Sequence, residues 1–333
     1  MKRHSLVGAM DSLRDYVEDK YHINLGNIFI FATVGLLVYV FCCRSRNRRN
    51  RKRENQQRSG SGLYPDLNQE TRRNSVLNYF GVDDIRLISD RFTSLEEVTE
   101  AIRKAGLESC NLIFGVDYTA SNNIQGQRTF GGRCLHYMGP GAVNPYQQVI
   151  SILGETIEPF DEDGIIPVFG FGDQSTRGTG VFPFRAEGYC TGFHDALQAY
   201  NQITPNVKLS GPTNFAPLIR RALEIVRQTK AYHILVIVAD GQVTNEQATR
   251  HAIVEAAQYP LSIIMIGVGD GPWDMMKEFD DSIPQRRFDN FQFVDFNLAM
   301  RDARNPQAAF ALAALMEIPD QFKAIKQLGL LEM

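Results

Sequence analysis

Three oxygen-bearing side chains, Asp117, Thr119 and Ser121, stand at every second position directly after the apolar run Asn111 to Val116. In an extended backbone alternate side chains face the same way, so a carboxylate and two hydroxyls can converge just beyond a strand end. Oxygen-only donors of this kind suit a hard divalent cation. A strand end followed by Thr and Ser is also ordinary turn chemistry, because these side chains hydrogen-bond their own backbone in loops. The choice rests on whether distant segments supply further ligands.

Two segments do. Asp240 closes the apolar run Ile234 to Ala239, with Gly241 directly after it, and Thr213 is carried by Leu209-Ser-Gly-Pro-Thr-Asn-Phe215, a loop leading into a helical pattern. Read blandly, Thr213 is the N-cap of that helix and Asp240 a turn residue. Yet two carboxylates and three hydroxyls gathered at one sheet edge are a poor arrangement unless a cation neutralises them. The expectation is a Mg2+ site made by Asp117, Thr119, Ser121, Thr213 and Asp240, some through water. Mn2+ and Ca2+ are the other ions such a set accommodates.

Positioning these residues requires strands that end together. Apolar runs at Asn111 to Asp117, Ile165 to Phe171, His233 to Asp240, Leu261 to Val268 and Phe291 to Phe296 alternate with helix-length segments. Those segments are Tyr146 to Glu158, Gly192 to Ile203, Phe215 to Gln228, Glu246 to Gln258 and Trp273 to Asp280, and two more, Pro306 to Met316 and Asp320 to Leu328, close the chain. Ser94 to Glu97 forms a capping box before a helix that stops near Gly106. Strands apolar along their whole length, separated by amphipathic helices, predict a doubly wound α/β fold with a mostly parallel sheet. In such folds ligands bind beyond the carboxyl ends of the strands, where the topology switches.

The chain has 333 residues, 44% of them apolar, enough for a sizeable core, and a formal net charge of −3. Residues 44–58 carry eight basic side chains against Glu54; removing that +7 leaves −10 on the remainder. A folded part this acidic is a poor nucleic-acid binder. The five cysteines show no C-x-x-C spacing, so neither a zinc site nor a disulfide framework is expected, and no N-x-S/T sequon is present.

Residues 1–24 read as a short polar tail. Residues 25–43 hold no charge over nineteen positions, nearly enough helix for the roughly 30 Å hydrocarbon layer, and predict a transmembrane helix. The basic run 44–53 places the following chain in the cytosol and offers contact with anionic lipid. Cys42 and Cys43 sit where palmitoylation occurs. Residues 44–76 read as a basic juxtamembrane segment and flexible linker, in which Arg72-Arg73-Asn74-Ser75 resembles a basophilic kinase site. The organisation expected is a single-pass membrane protein whose folded domain, residues 77–330, faces the cytosol.

The five oxygen ligands resemble the metal-ion-dependent adhesion site of von Willebrand factor A domains, Asp-x-Ser-x-Ser followed by a distant Thr and a distant Asp, with Thr119 keeping the hydroxyl where the wider family has Ser. Asn111-Leu-Ile-Phe-Gly-Val-Asp-Tyr-Thr-Ala-Ser-Asn122, Gly211-Pro-Thr-Asn-Phe-Ala-Pro217, Ala239-Asp-Gly-Gln-Val-Thr244 and Gly267-Val-Gly-Asp-Gly-Pro-Trp-Asp-Met-Met276 are similar to the copine-type A domain, including that of plant RING-type ubiquitin ligases. The resemblance covers about Tyr79 to Leu330. Tandem C2 domains and a zinc-binding RING, which accompany this domain in copines and plant ligases respectively, have no counterpart here. Ala120 stands where the family usually has Lys, which alters the rim of the site.

This resemblance, together with the span expected at 25–43, leads to a membrane-tethered, non-enzymatic module that binds a protein partner when an Asp or Glu of that partner completes the Mg2+ shell. A ubiquitin-ligase adaptor is the alternative, and a metal-dependent phosphohydrolase the third reading. Against catalysis, His194-Asp195 lacks partner histidines and His233 begins a strand. Asp173 ends the Ile165 strand as a supporting carboxylate or a turn residue, and Tyr118 and Phe215 are core residues or partner contacts.

Overall fold

Side chains alternate across a strand, so a strand apolar at every position needs cover on both faces. The computed structural model, which describes residues 75–80, 91–241, 243–283, 286–301 and 303–332, supplies it. In chain order the elements are α1 (Ser75–Phe80), α2 (Leu95–Ala105), β1 (Asn111–Asp117), α3 (Pro145–Ile157), β2 (Ile165–Ile166), β3 (Val168–Phe171), β4 (Phe182–Pro183), β5 (Cys190–Thr191), α4 (Gly192–Ile203), α5 (Ala216–Thr229), β6 (His233–Ala239), α6 (Glu246–Ala256), β7 (Leu261–Gly267), α7 (Asp274–Ser282), β8 (Phe291–Asp295), α8 (Phe296–Met300), α9 (Pro306–Leu315) and α10 (Ile318–Gln327).

The main sheet runs β4-β3-β1-β6-β7-β8, parallel except for β4 at the edge. The expected doubly wound, mostly parallel architecture is therefore present. Going from β3 to β6 the chain jumps across β1, so the winding reverses between β1 and β6, where a crevice opens beyond the strand ends. The register pairs Val116 with Val238, so Asp117 comes level with Ala239 and Asp240 follows one residue beyond it.

Two separate cores result. Leu112, Phe114, Val116, Ile234, Val236 and Val238 face one way, with Val98, Ile102, Val149, Leu153, Phe310 and Ile325 of the covering helices. Ile113, Leu235, Ile237, Ile263 and Met265 face the other, with Leu218, Leu223, Ile253 and Phe279. On the second face Gly115 lets α5 approach closely: a Cβ there would lie 2.1 Å from Leu218 Cδ2. Local signals work with the packing. Ser94 accepts from Glu97 N, but Glu97 returns its bond to Thr93 N at 2.6 Å, one residue earlier than a standard capping box.

Two expectations are corrected. The run Ile165 to Phe171 is two strands, because Pro167 separates β2, which pairs antiparallel with β5 in its own ribbon, from β3, which joins the main sheet. The single-pass membrane topology is not supported either: among the described residues no helix is long and apolar enough to cross a membrane. The segment 25–43 itself lies outside the described residues, as do Cys42, Cys43 and the basic run 44–53.

Candidate metal centre

Asp117 is the last residue of β1 and Asp240 the first after β6, and both are fully buried. Beyond Asp117 the chain stays extended through Thr119 and then makes a 3-10 turn over Ala120–Asn123, which turns Ser121 back toward β6. Ser121 Oγ donates to Asp240 Oδ1 at 2.9 Å and lies 2.8 Å from Thr119 Oγ1. Asp117 Oδ1 accepts from Thr119 N at 2.8 Å. Three of the five expected ligands, Asp240, Ser121 and Thr119, thus form one chain of oxygens, and Asp117 joins it through the Thr119 backbone N–H.

Thr213 arrives from a separate loop. Ser210 pairs with Thr119 in a parallel bridge, so the segment entering α5 runs beside the exit of β1, and the Thr213 carbonyl accepts from Thr244 N at 2.8 Å, tying it to the loop after β6. Thr213 is buried, and it is not the cap of α5: Phe215 holds that position, while Asn214 Oδ1 accepts from Ala216 N. The hydroxyl is therefore not consumed by helix capping.

The electrostatics fit a cation. Asp117 Oδ2 and Asp240 Oδ2 are buried without a hydrogen-bond partner. Burial, and then the neighbouring Asp240 carboxylate, holds the Asp117 carboxyl well above its ordinary range. Burial likewise raises Asp240, to about 6. Two desolvated carboxylates each with a free oxygen are costly unless positive charge sits between them. Among the described residues no three Asp, Glu, His or Cys side chains group together as metal ligands. The remaining donors here are hydroxyls, which with two carboxylates form a hard-ion set.

A polar scaffold beneath the site, not identified from sequence, fixes the β1 exit. His136 is sandwiched between Tyr118 and Tyr146, with ring centroids at 4.7 and 4.1 Å. Its Nε2 is 2.8 Å from the Asp117 carbonyl, which can only accept, so Nε2 carries the proton and Nδ1 accepts from Tyr200 OH at 2.8 Å. Burial lowers the His136 pKa to about 4, so the ring is neutral and both nitrogens are engaged. Asn122 Nδ2 donates to the Thr119 carbonyl and accepts, through Oδ1, from Tyr146 OH at 2.7 Å. Nothing near Asp117 in sequence points to His136, which comes from a loop nineteen residues on; only the fold brings it back.

Gly172, after β3, is a second residue without a sequence signal. Its φ is +76°, and a Cβ there would meet Thr119 Cγ2 at 2.5 Å and Asp117 Oδ1 at 3.4 Å. Asp173 is a turn residue, its carboxylate accepting from the backbone N–H and hydroxyl of both Ser175 and Thr176. Tyr118 and Phe215 are fully buried core residues.

The rim is formed by the loop between β1 and α3. Asp270, after β7, holds this loop by accepting from Arg128 N at 3.0 Å, Thr129 N at 3.0 Å and Thr129 Oγ1 at 2.8 Å, while its own N–H donates to the Gln125 carbonyl. The loop presents Ile124, Tyr137 and Val143 to solvent, at 65, 42 and 59% exposure. Ala120 is exposed on the same loop.

Similarity to known proteins agrees with the sequence motifs. A family model described as Copine matches residues 134–333. The chain is 56% identical over 266 residues to copine family protein 2 of Caenorhabditis elegans, covering 78% of this chain and 3% of that protein. Copine family protein 1 of the same organism is 52% identical over 284 residues, 83% of this chain and 26% of the relative. E3 ubiquitin-protein ligase RGLG5 of Arabidopsis thaliana is 52% identical over 261 residues, 73% of this chain and 60% of the ligase. The chain spans less than two thirds of each of these relatives. Among solved structures, that of the manganese-loaded Plasmodium vivax TRAP protein aligns at 13% identity and a TM-score of 0.39, over 58% of this chain and 71% of that one, too loose a likeness to bear on the site.

Proposed function

The chain belongs to the copine family, and from that premise we propose that it is a protein-binding module whose partner supplies an Asp or Glu to a divalent ion held by Asp117, Thr119, Ser121, Thr213 and Asp240. The observation that carries this reading is the pair of buried carboxylate oxygens, Asp117 Oδ2 and Asp240 Oδ2, without partners at the switch point of the sheet. Mg2+ is the ion proposed: it favours oxygen ligands, is held by one or two carboxylates, and keeps exchangeable water positions. The ion is the largest local charge and lets an acidic domain accept an acidic group. Ile124, Tyr137 and Val143 give the rim an apolar surface that a partner covers on binding.

Binding is proposed rather than catalysis, and His136, the histidine hydrogen-bonded beside the carboxylates, is neutral, buried and bonded at both nitrogens, so its imidazole is not free to act as a base. The Arabidopsis relatives named as ubiquitin-protein ligases motivate a second reading, in which this module selects the substrate in a ubiquitin-ligase system.

A direct test is binding of the immobilised full chain to an array of peptides with Asp or Glu at the centre, in Mg2+ and in excess chelator. Capture is expected to require an acidic centre, to disappear in chelator, to return with Mg2+, and to be absent for Asp117→Ala. Capture that persists unchanged in chelator contradicts the proposal.

A further inference from the structure

The kinase-like motif Arg72-Arg73-Asn74-Ser75 ends on a residue that closes a contact between the start of the domain and its last long helix. Ser75 opens α1. Its backbone N–H donates to Asp320 Oδ2 at 2.8 Å, and its hydroxyl donates to Asp320 Oδ1 in a short hydrogen bond. Lys323 Nζ donates to Ser75 Oγ at 2.7 Å and lies 3.9 Å from Asp320 Oδ1. Asp320 and Lys323 are both on α10, and Val76, next to Ser75, is fully buried in the core shared by α2 and α10. One serine hydroxyl therefore sits in a neutral triad that docks α1.

We propose that Ser75 is a phosphorylation site for a basophilic protein kinase and that its modification releases α1 from α10. In the transfer, Ser75 Oγ attacks the γ-phosphorus of a nucleoside triphosphate held by the kinase. The bond from that phosphorus to the β-phosphate oxygen breaks, the nucleoside diphosphate leaves, and the hydroxyl proton passes to the base of the kinase. Ser75 gains a charge of about −1.5 to −2 and loses the proton it donated to Asp320. A carboxylate that accepted a hydrogen bond then faces a phosphate, and the Lys323 ammonium, which contacts both side chains, has to serve both anions. Repulsion replaces attraction at the point where α1 is held.

The geometry also sets when transfer occurs. A kinase binds its acceptor segment in an open, extended form, whereas Ser75 is docked, half-buried, and in a helix. Transfer draws on the undocked fraction, so the Asp320 contact protects Ser75, and phosphorylation in turn prevents redocking.

The test uses the full chain, a basophilic kinase and ATP, with site assignment by mass spectrometry and limited chymotrypsin digestion, which reads cleavage after Leu77, Tyr79 and Phe80. Phosphate is expected on Ser75, several-fold faster in Asp320→Ala than in the wild type and about tenfold slower in Arg73→Ala; the phosphorylated wild type is expected to be cut several-fold faster at these positions. Asp320→Asn, which keeps the shape of the side chain, serves where Asp320→Ala fails to fold and is expected to shift both readouts the same way. No phosphate on Ser75 in any of these proteins overturns the proposal. So does an equal rate in wild type and Asp320 variants, or cleavage unchanged by phosphorylation.

Discussion

Asp240→Asn is expected to make the metal-free protein more stable while removing its response to Mg2+. In the wild type, Asp117 and Asp240 are buried together, and burial raises Asp240 to about 6. A carboxyl whose folded pKa lies above its unfolded value of about 3.9 stabilises the fold at low pH and loses that contribution as pH rises through the folded value. Metal-free wild type should therefore lose stability between about pH 4 and pH 6, by an order of 1–3 kcal/mol. The asparagine variant carries no such charge: its oxygen still accepts from Ser121 Oγ, and its amide can donate to Asp117 Oδ2. At pH 7 its thermal midpoint without metal should lie roughly 2–10 °C above that of the wild type. Saturating Mg2+ should reverse the order, because a ligand at 100 times its dissociation constant adds about 2.7 kcal/mol to the protein that binds it. Thermal denaturation at pH 4, 6 and 7.5, with chelator and with Mg2+, checks both halves. A variant less stable than wild type in chelator at pH 7.5 means the carboxylate pair is not the strained element described above.

Gly172→Ala is expected to cost about 1–3 kcal/mol and to weaken Mg2+ binding at least tenfold, although no ligand is removed. Part of the cost comes from φ of +76°, which an L side chain adopts reluctantly. The rest comes from a Cβ 2.5 Å from Thr119 Cγ2, which must push Thr119 out of line with Ser121. Gly141 separates the two causes: its φ is +72°, but a Cβ there meets nothing within 4 Å. Gly141→Ala should show the backbone cost alone and keep its Mg2+ response. Equal loss of Mg2+ response in both variants, or full retention in Gly172→Ala, contradicts the placement of Thr119 in the site.

How far the sequence reaches depends on which physical signal a residue carries. Asn111 to Asp117 and His233 to Ala239 are legible because strands buried on both faces must be apolar at every position, and an aspartate at the end of such a run stands out. That β1 and β6 are neighbours, which brings Asp117 level with Ala239 and close to Asp240, comes from the sheet order. Pro167 is a local signal that decides a tertiary question, whether Ile165 and Phe171 share a strand, and the long apolar run masks it. His136, Tyr146 and Gly172 are illegible for another reason: each acts through a contact between segments distant in sequence. A histidine that hydrogen-bonds the Asp117 carbonyl looks the same, in sequence, as one in any loop. The uncharged run 25–43 lies outside the described residues, among which no helix is long and apolar enough to cross a membrane.

The central claim is that the carboxylate pair and its hydroxyls bind one divalent ion, and calorimetric titration of Mg2+ into the chelator-stripped full chain at pH 7.5 tests it most directly. The expected result is one saturable site per chain in the wild type, absent from Asp117→Ala and Asp240→Asn and weakened in Gly172→Ala. No saturable binding by the wild type, or binding of equal strength in the two aspartate variants, would contradict it.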